Sequence, residues 1–238
     1  MPAAIDVGSV VSASAGSGAT SISVSGTCNA PNNFLIALEW NYSTGGGALQ
    51  APFPFTYNGV QLPYHFSISD AIAMEASFWM MPNPPTGGPY TLQATYPNGP
   101  VTAAAIALLF ASGVDTSTSG GSSTIFPGIK NLNSNHGASS NNGSLTFAGA
   151  SKYDLRVAVC GNGCTSQSSG PSQFSLAQQA GINGGYSAIF DLIQDPSSAG
   201  FTWANSGSAT SNEWMTIGAV LLGLIPPASS AIGEQMEF

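Results

Sequence analysis

Charge is what this chain has least of. Only 6% of its 238 residues are charged, and the basic ones are Lys130, Lys152 and Arg156 against eleven acidic residues. Three scattered cations cannot follow a phosphate backbone, which needs several Lys or Arg on one face, so nucleic acid is not an expected partner. Histidine is almost as scarce. His65 and His136 stand far apart and show neither the H-E-x-x-H nor the H-x-H spacing of a zinc site. The longest apolar runs, "AAAIALLFA" (103–111) and "MTIGAVLLGLIPP" (215–227), fall short of the ~20 residues a spanning helix needs, so no membrane insertion is expected. The opening "MPAAIDVGSVVSASAGS" has no basic start and no compact apolar core, so a start in the cytoplasm is expected rather than a secretory signal. The three cysteines are an odd number, which leaves at least one unpaired within the chain.

Low charge alone would be compatible with disorder, but 43% of the residues are hydrophobic and 10% aromatic, enough for a packed core. The 29 glycines and 16 prolines suit many turns rather than long helices. Period two dominates the chain. "NFLIALEW" (33–40) puts Phe34, Ile36, Leu38 and Trp40 on one face, and "AMEASFWMM" (73–81) does the same with Met74, Ala76, Phe78 and Met80. "YTLQATY" (90–96) alternates throughout, and "VTAAAIALLF" (101–110) is apolar on both faces, as a strand covered on both sides should be. Asn58-Gly59 between "FPFTY" and "VQLPYHFSI" is a strong hairpin signal, because both residues accept positive φ. In "MMPNPPTGGPY" the prolines Pro82, Pro84 and Pro85 end a strand, and Gly87 and Gly88 let the chain turn. "SLTFAG", "YDLRVAV", "QFSLAQQ", "YSAIFDLIQ", "FTWAN" and "EWMTIGAVLLGLI" continue the rhythm to residue 225.

This pattern predicts an all-β protein: an antiparallel two-sheet β-sandwich, jelly-roll-like, with about 10–13 strands and long Gly/Ser-rich loops. Residues 1–19 read as an N-terminal arm, 20–226 as the sandwich and 227–238 as a tail behind Pro226 and Pro227. Residues 112–143 read as one long polar loop, and a short helix over 67–76 is the expected exception to the strands.

The order "FTYNGVQL", "FWMMPNPPTGGPYTLQATY", a strand ending "ASGVDT", and finally "EWMTIGAVLLGLIP" resembles a loosely defined family of β-sandwich proteins found among phage structural genes and bacterial surface proteins. The likeness covers roughly residues 33–226 and rests on turn and core signals. It implies a sandwich fold and a setting on virions or surfaces, and it carries over no catalytic residue.

Candidate chemistry is thin. A Ser–His–Asp triad would have to assemble in space around His65 or His136, and no G-x-S-x-G elbow is present. Glu39, Glu75, Asp191 and Glu213 lie on expected strands, where paired carboxylates could cleave a glycan, but the alternation places each on the solvent side. Asp191 and Asp195 flank "LIQ" at a strand end without the D-x-D-x-D loop of a calcium site. "CGNGC" (160–164) suits either a small disulfide between Cys160 and Cys164 or two thiols, and Cys28 reads as a lone buried thiol. Trp40, Trp79, Trp203 and Trp214 suit core packing better than a sugar-stacking face. The sequons at Asn41 and Asn142 matter only in a eukaryotic secretory pathway. No catalytic, cofactor-binding or metal-binding residue is therefore assigned. The expectation is a non-enzymatic virion structural protein, a phage capsid decoration or minor capsid subunit. Its expected partners are a major capsid protein, other virion subunits and further copies of itself. A glycan-binding adhesive module at the cell surface is the second reading and a sandwich glycosidase the third.

Overall fold

In the N-terminal half, alternating apolar residues build ten strands: β1 (Ala4–Ile5), β2 (Val11–Ala15), β3 (Ser21–Cys28), β4 (Phe34–Tyr42), β5 (Thr56–Tyr57), β6 (Val60–Gln61), β7 (Tyr64–Ser69), β8 (Met74–Pro82), β9 (Gly87–Thr95) and β10 (Ala103–Ser112). The C-terminal half adds β11 (Ile129–Gly137), β12 (Asn142–Thr146), β13 (Leu155–Ser169), β14 (Phe174–Ile182), β15 (Tyr186–Ile193) and β16 (Gly200–Leu221). The computed structural model describes residues 2–43, 55–69, 73–117, 128–137, 142–147, 151–194 and 200–224, with backbone alone at 142 and 206–212.

The expected all-β antiparallel sandwich forms, with three sheets among the described residues where two layers were expected. A six-stranded central sheet runs β1-β10-β4-β8-β7, with β2 also on β10. A four-stranded cover sheet, β3-β9-β5-β6, lies over one face, and a six-stranded C-terminal sheet, β11-β16-β13-β15-β14 with β12 on β16, lies over the other. β3 pairs with β9 in the cover sheet, while β4 pairs with β8 in the central sheet. A two-stranded ribbon therefore winds from one sheet to the other, as in a jelly roll. The proline turn after β8 carries the chain across this gap, since β8 and β9 belong to different sheets. Asn83, at φ 50°, takes the bend. The β5–β6 hairpin turns at Asn58 and Gly59, both at positive φ, as their sequence demands.

Both faces of β4 are used. Phe34, Ile36, Leu38 and Trp40 pack toward the C-terminal sheet, and Leu35 and Ala37 pack toward the cover sheet. β10, apolar throughout, is likewise buried on both sides. Each large side chain enclosed this way contributes roughly 1.5–3 kcal/mol of burial, which is why these strands sit in the middle layer.

Three expectations are corrected. Residues 67–69 and 74–76 are strand, not helix, because both segments pair along their length: Ser67 with Ser77 and Ser69 with Glu75. The expected loop 112–143 contains β11, which pairs with β16, and the first residues of β12. Its segments 118–127 and 138–141 lie outside the described residues, as does the expected tail. The residues read as an N-terminal arm supply β1 and β2, which pair along β10.

The longest two strands form a bent ribbon. β13 and β16 pair from Leu155–Leu221 to Asn162–Trp214, then resume at Cys164–Ala209 after an irregularity. Beyond the bend the ribbon folds back over the outer face of its own sheet. Phe201 and Trp203 then pack on Ala158, Cys160, Ile189 and Val220. The buried carboxamide of Asn162 holds the bend: its Oδ1 accepts from Ser187 Oγ and from the backbone N–H of Cys164, both at 2.9 Å, and its Nδ2 donates to Gln167 and Asn205.

Candidate functional site

The residues that carry chemistry are enclosed in two places. The first is the layer between the central and cover sheets. Glu39 and Asn41 are two apart on β4, Glu75 and Ser77 two apart on β8, and the register sets Glu39 opposite Ser77 and Asn41 opposite Glu75. All four are at most 1% exposed. Glu39 Oε1 accepts from Asn41 Nδ2 at 2.6 Å, and Oε2 accepts from Ser77 Oγ at 2.8 Å. Ser77 Oγ in turn accepts from Trp79 Nε1 at 3.0 Å. Burial pushes Glu39 up to about 7 against the pull of its hydrogen bonds from Asn41 and Ser77 and of nearby Tyr96. Glu75 rises to about 9 through burial first and the neighbouring Glu39 second.

The second place lies under the folded ribbon. Asp191 is fully buried; it accepts from Trp203 Nε1 at 2.6 Å, Gln173 Nε2 at 2.7 Å and Ser169 Oγ at 2.9 Å. Burial still raises its pKa above the ordinary value, because desolvation outweighs those donors.

The solvent-side placement expected for Glu39, Glu75 and Asp191 is therefore overturned. The face opposite the main apolar stripe is itself covered, by the cover sheet for the first two and by the ribbon for Asp191. Glu39 and Glu75 are fully buried and face no solvent. Glu213 is half-buried on β16 near Tyr186, and Asp195 lies outside the described residues.

The histidines are not brought together. His65 lies on edge strand β7 and stacks on Trp79 at 4.5 Å, and burial pushes it below its ordinary value. His136 is exposed on β11. Among the described residues no group of three His, Cys, Asp or Glu side chains converges. Cys28, Cys160 and Cys164 are buried free thiols, which removes the disulfide alternative; Cys160 and Cys164 both lie along β13 rather than across a turn. Trp40, Trp79, Trp203 and Trp214 are at most 5% exposed, as core packing requires, and Asn41 is too buried to accept a glycan.

No family model, curated protein or solved structure matches the chain.

Sequence reasoning missed Asn41, Ser77, Tyr96, Ser169 and Gln173 as partners of the acids. The signal for the first two was there: a polar doublet, Glu39 with Asn41 and Glu75 with Ser77, on matching faces of two strands otherwise apolar on both sides. The surface offers shallow features. Val7 and Phe174, 47% and 53% exposed, share with Pro171, Gln173 and Leu192 a cleft of about 390 Å³ beside edge strand β14. A second cleft, of about 460 Å³, carries the hydroxyls of Ser144, Ser169 and Thr202.

Proposed function

We propose that the protein is a non-enzymatic structural subunit, a decoration or minor capsid component of a virion, and that it works through contacts between subunits. The observation that carries this reading is the pairing of exposed Val7 and Phe174 around one cleft at β14, which ends its sheet. Exposed apolar side chains gathered beside a strand edge that has no pairing partner among the described residues suit docking. The scarcity of charge supports it further, since contacts made by small polar and apolar groups are little weakened by salt. Sedimentation of the full chain over a wide concentration range is the test. Self-association that persists in high salt and is lost in Phe174→Ser and Val7→Ser is expected. A chain that stays monomeric at every concentration and leaves added capsids uncoated overturns the reading.

A glycan-binding role has a narrower support. The cleft at Ser144, Ser169 and Thr202 is uncharged and rich in hydroxyls, which suits a neutral sugar. The buried tryptophans offer no stacking face, so this role would rest on hydrogen bonds alone. Glycan-array binding that Thr202→Ala abolishes while leaving sedimentation unchanged separates it from docking.

A further inference from the structure

The polar square between β4 and β8 does not balance its donors and acceptors. On the Glu39 side it does: both carboxylate oxygens receive hydrogen bonds, and the Ser77 hydroxyl both donates and accepts. On the Glu75 side three buried acceptor atoms, Glu75 Oε1, Glu75 Oε2 and Asn41 Oδ1, have no donor. Asn41 does not supply one: its Nδ2 donates to Glu39 Oε1, and neither Glu75 oxygen receives its second hydrogen. An ionised carboxylate facing an amide carbonyl in a dry interior is a strongly unfavourable arrangement. One added proton resolves it, since a protonated carboxyl becomes a donor and Asn41 stands directly opposite. A calcium ion would not, because it takes roughly six to eight oxygen ligands and only three unserved acceptors remain.

We infer that Glu75 is carried as a neutral carboxylic acid donating its O–H to Asn41 Oδ1 within the central sheet, and that loss of this proton, by placing a second buried charge beneath the cover sheet, loosens the packing of the cover sheet on the central one. The proton leaves to solvent hydroxide as water and leaves a second carboxylate beside Glu39. No described cation is placed to compensate. Lys130 is bonded to Asp154, Lys152 lies over the Tyr153 ring, and Arg156 belongs to the C-terminal sheet. The titratable groups facing the square are few. From the cover-sheet side come Tyr96 and, farther along, Cys28, Tyr57 and Tyr90. From β7 comes His65, with neutral Ser69 opposite Glu75. Tyr96 is held well above its ordinary value and His65 below its own, so both are uncharged when Glu75 ionises. The acids of the square itself are Glu75 and Glu39, and Glu75→Gln separates the Glu75 proton from the alkaline titration of Cys28, Tyr57 and Tyr90 farther along the cover sheet.

Carboxyl ¹³C NMR of the full chain tests the first half of the inference. The Glu75 resonance should keep the chemical shift of a protonated acid at neutral pH and titrate only on the alkaline side. Hydrogen exchange along β9 tests the second half. Protection there should fall as Glu75 ionises, by up to ~10-fold in the folding equilibrium per pH unit. Glu75→Gln should stay protected, because its amide still donates to Asn41. A Glu75 titration in the ordinary carboxylate range overturns the inference. So does an alkaline loss in Glu75→Gln equal to that of the unaltered chain, or a stabilisation by calcium that a chelator reverses. Should Glu75→Gln not fold, the ¹³C titration of the unaltered chain decides alone.

Discussion

Gly161 of β13 lies directly against the indole of Trp40 of β4, so that a methyl group added at Gly161 would overlap the ring. The two residues belong to different sheets, and the contact sets how closely the C-terminal sheet approaches the central one. Gly161→Ala should destabilise the chain by about 3 kcal/mol or more, at the upper end of overpacking effects. Trp40→Phe in the same chain should recover part of the loss. Urea unfolding followed by tryptophan fluorescence measures both.

Asp191 organises the folded ribbon through Trp203, Gln173 and Ser169. Asp191→Ala strands these donors and should cost about 3 kcal/mol, whereas Asp191→Asn keeps one acceptor oxygen and should cost about half as much. Because burial raises the native pKa of Asp191, its stabilising contribution is complete below the ordinary carboxylate value and is lost as pH climbs through the native one. The deficit of Asp191→Asn should therefore shrink with rising pH in denaturation curves.

Asp154 behaves in the opposite sense. Burial pushes it up, but the Ser151 backbone N–H, Lys130 and the Gly223 backbone N–H outweigh burial and hold it below its ordinary value. Its contribution is present above that value and disappears as pH falls through the native one. Asp154→Asn should flatten the acid limb of stability against pH. At neutral pH it should cost about 1 kcal/mol, because Lys130 is partly exposed and solvent screens the pair. Acid denaturation of both chains provides the comparison.

The three thiols are buried, and burial pushes each above its ordinary value, most strongly Cys160, which also faces Asp191. A thiol reagent should find none of them in the native chain and all three after unfolding in guanidinium. A count of one after unfolding, the value a bridge between Cys160 and Cys164 would leave, contradicts the structure.

Much of the strand content was legible. The alternation over β4, β8 and β9, the two-sided apolarity of β10 and the Asn58-Gly59 turn all appear as read, because side-chain period and turn chemistry are local properties. The helix expected over 67–76 gives way to strand at 67–69 and 74–76 because short apolar segments fit either period, and pairing of β7 with β8 decided between them; residues 70–72 lie outside the described residues. The two enclosed acid clusters stayed hidden for a different reason. Alternation tells which residues share a face, and Glu39, Glu75 and Asp191 do lie opposite the main apolar stripe of their strands. It does not tell what covers that face.

The sequence by itself determined that this chain forms pleated strands joined by Gly, Pro and Asn turns and that its tryptophans belong inside. Only the tertiary structure decided that the prolines after β8 lead into a separate cover sheet, that the β13–β16 ribbon folds over its own sheet, and that Glu39, Glu75 and Asp191 are sealed from water. The physical reason is that backbone preference and side-chain period act over a few residues. Burial of the second face depends on contacts between strands such as β4, β9 and β16, far apart in the chain.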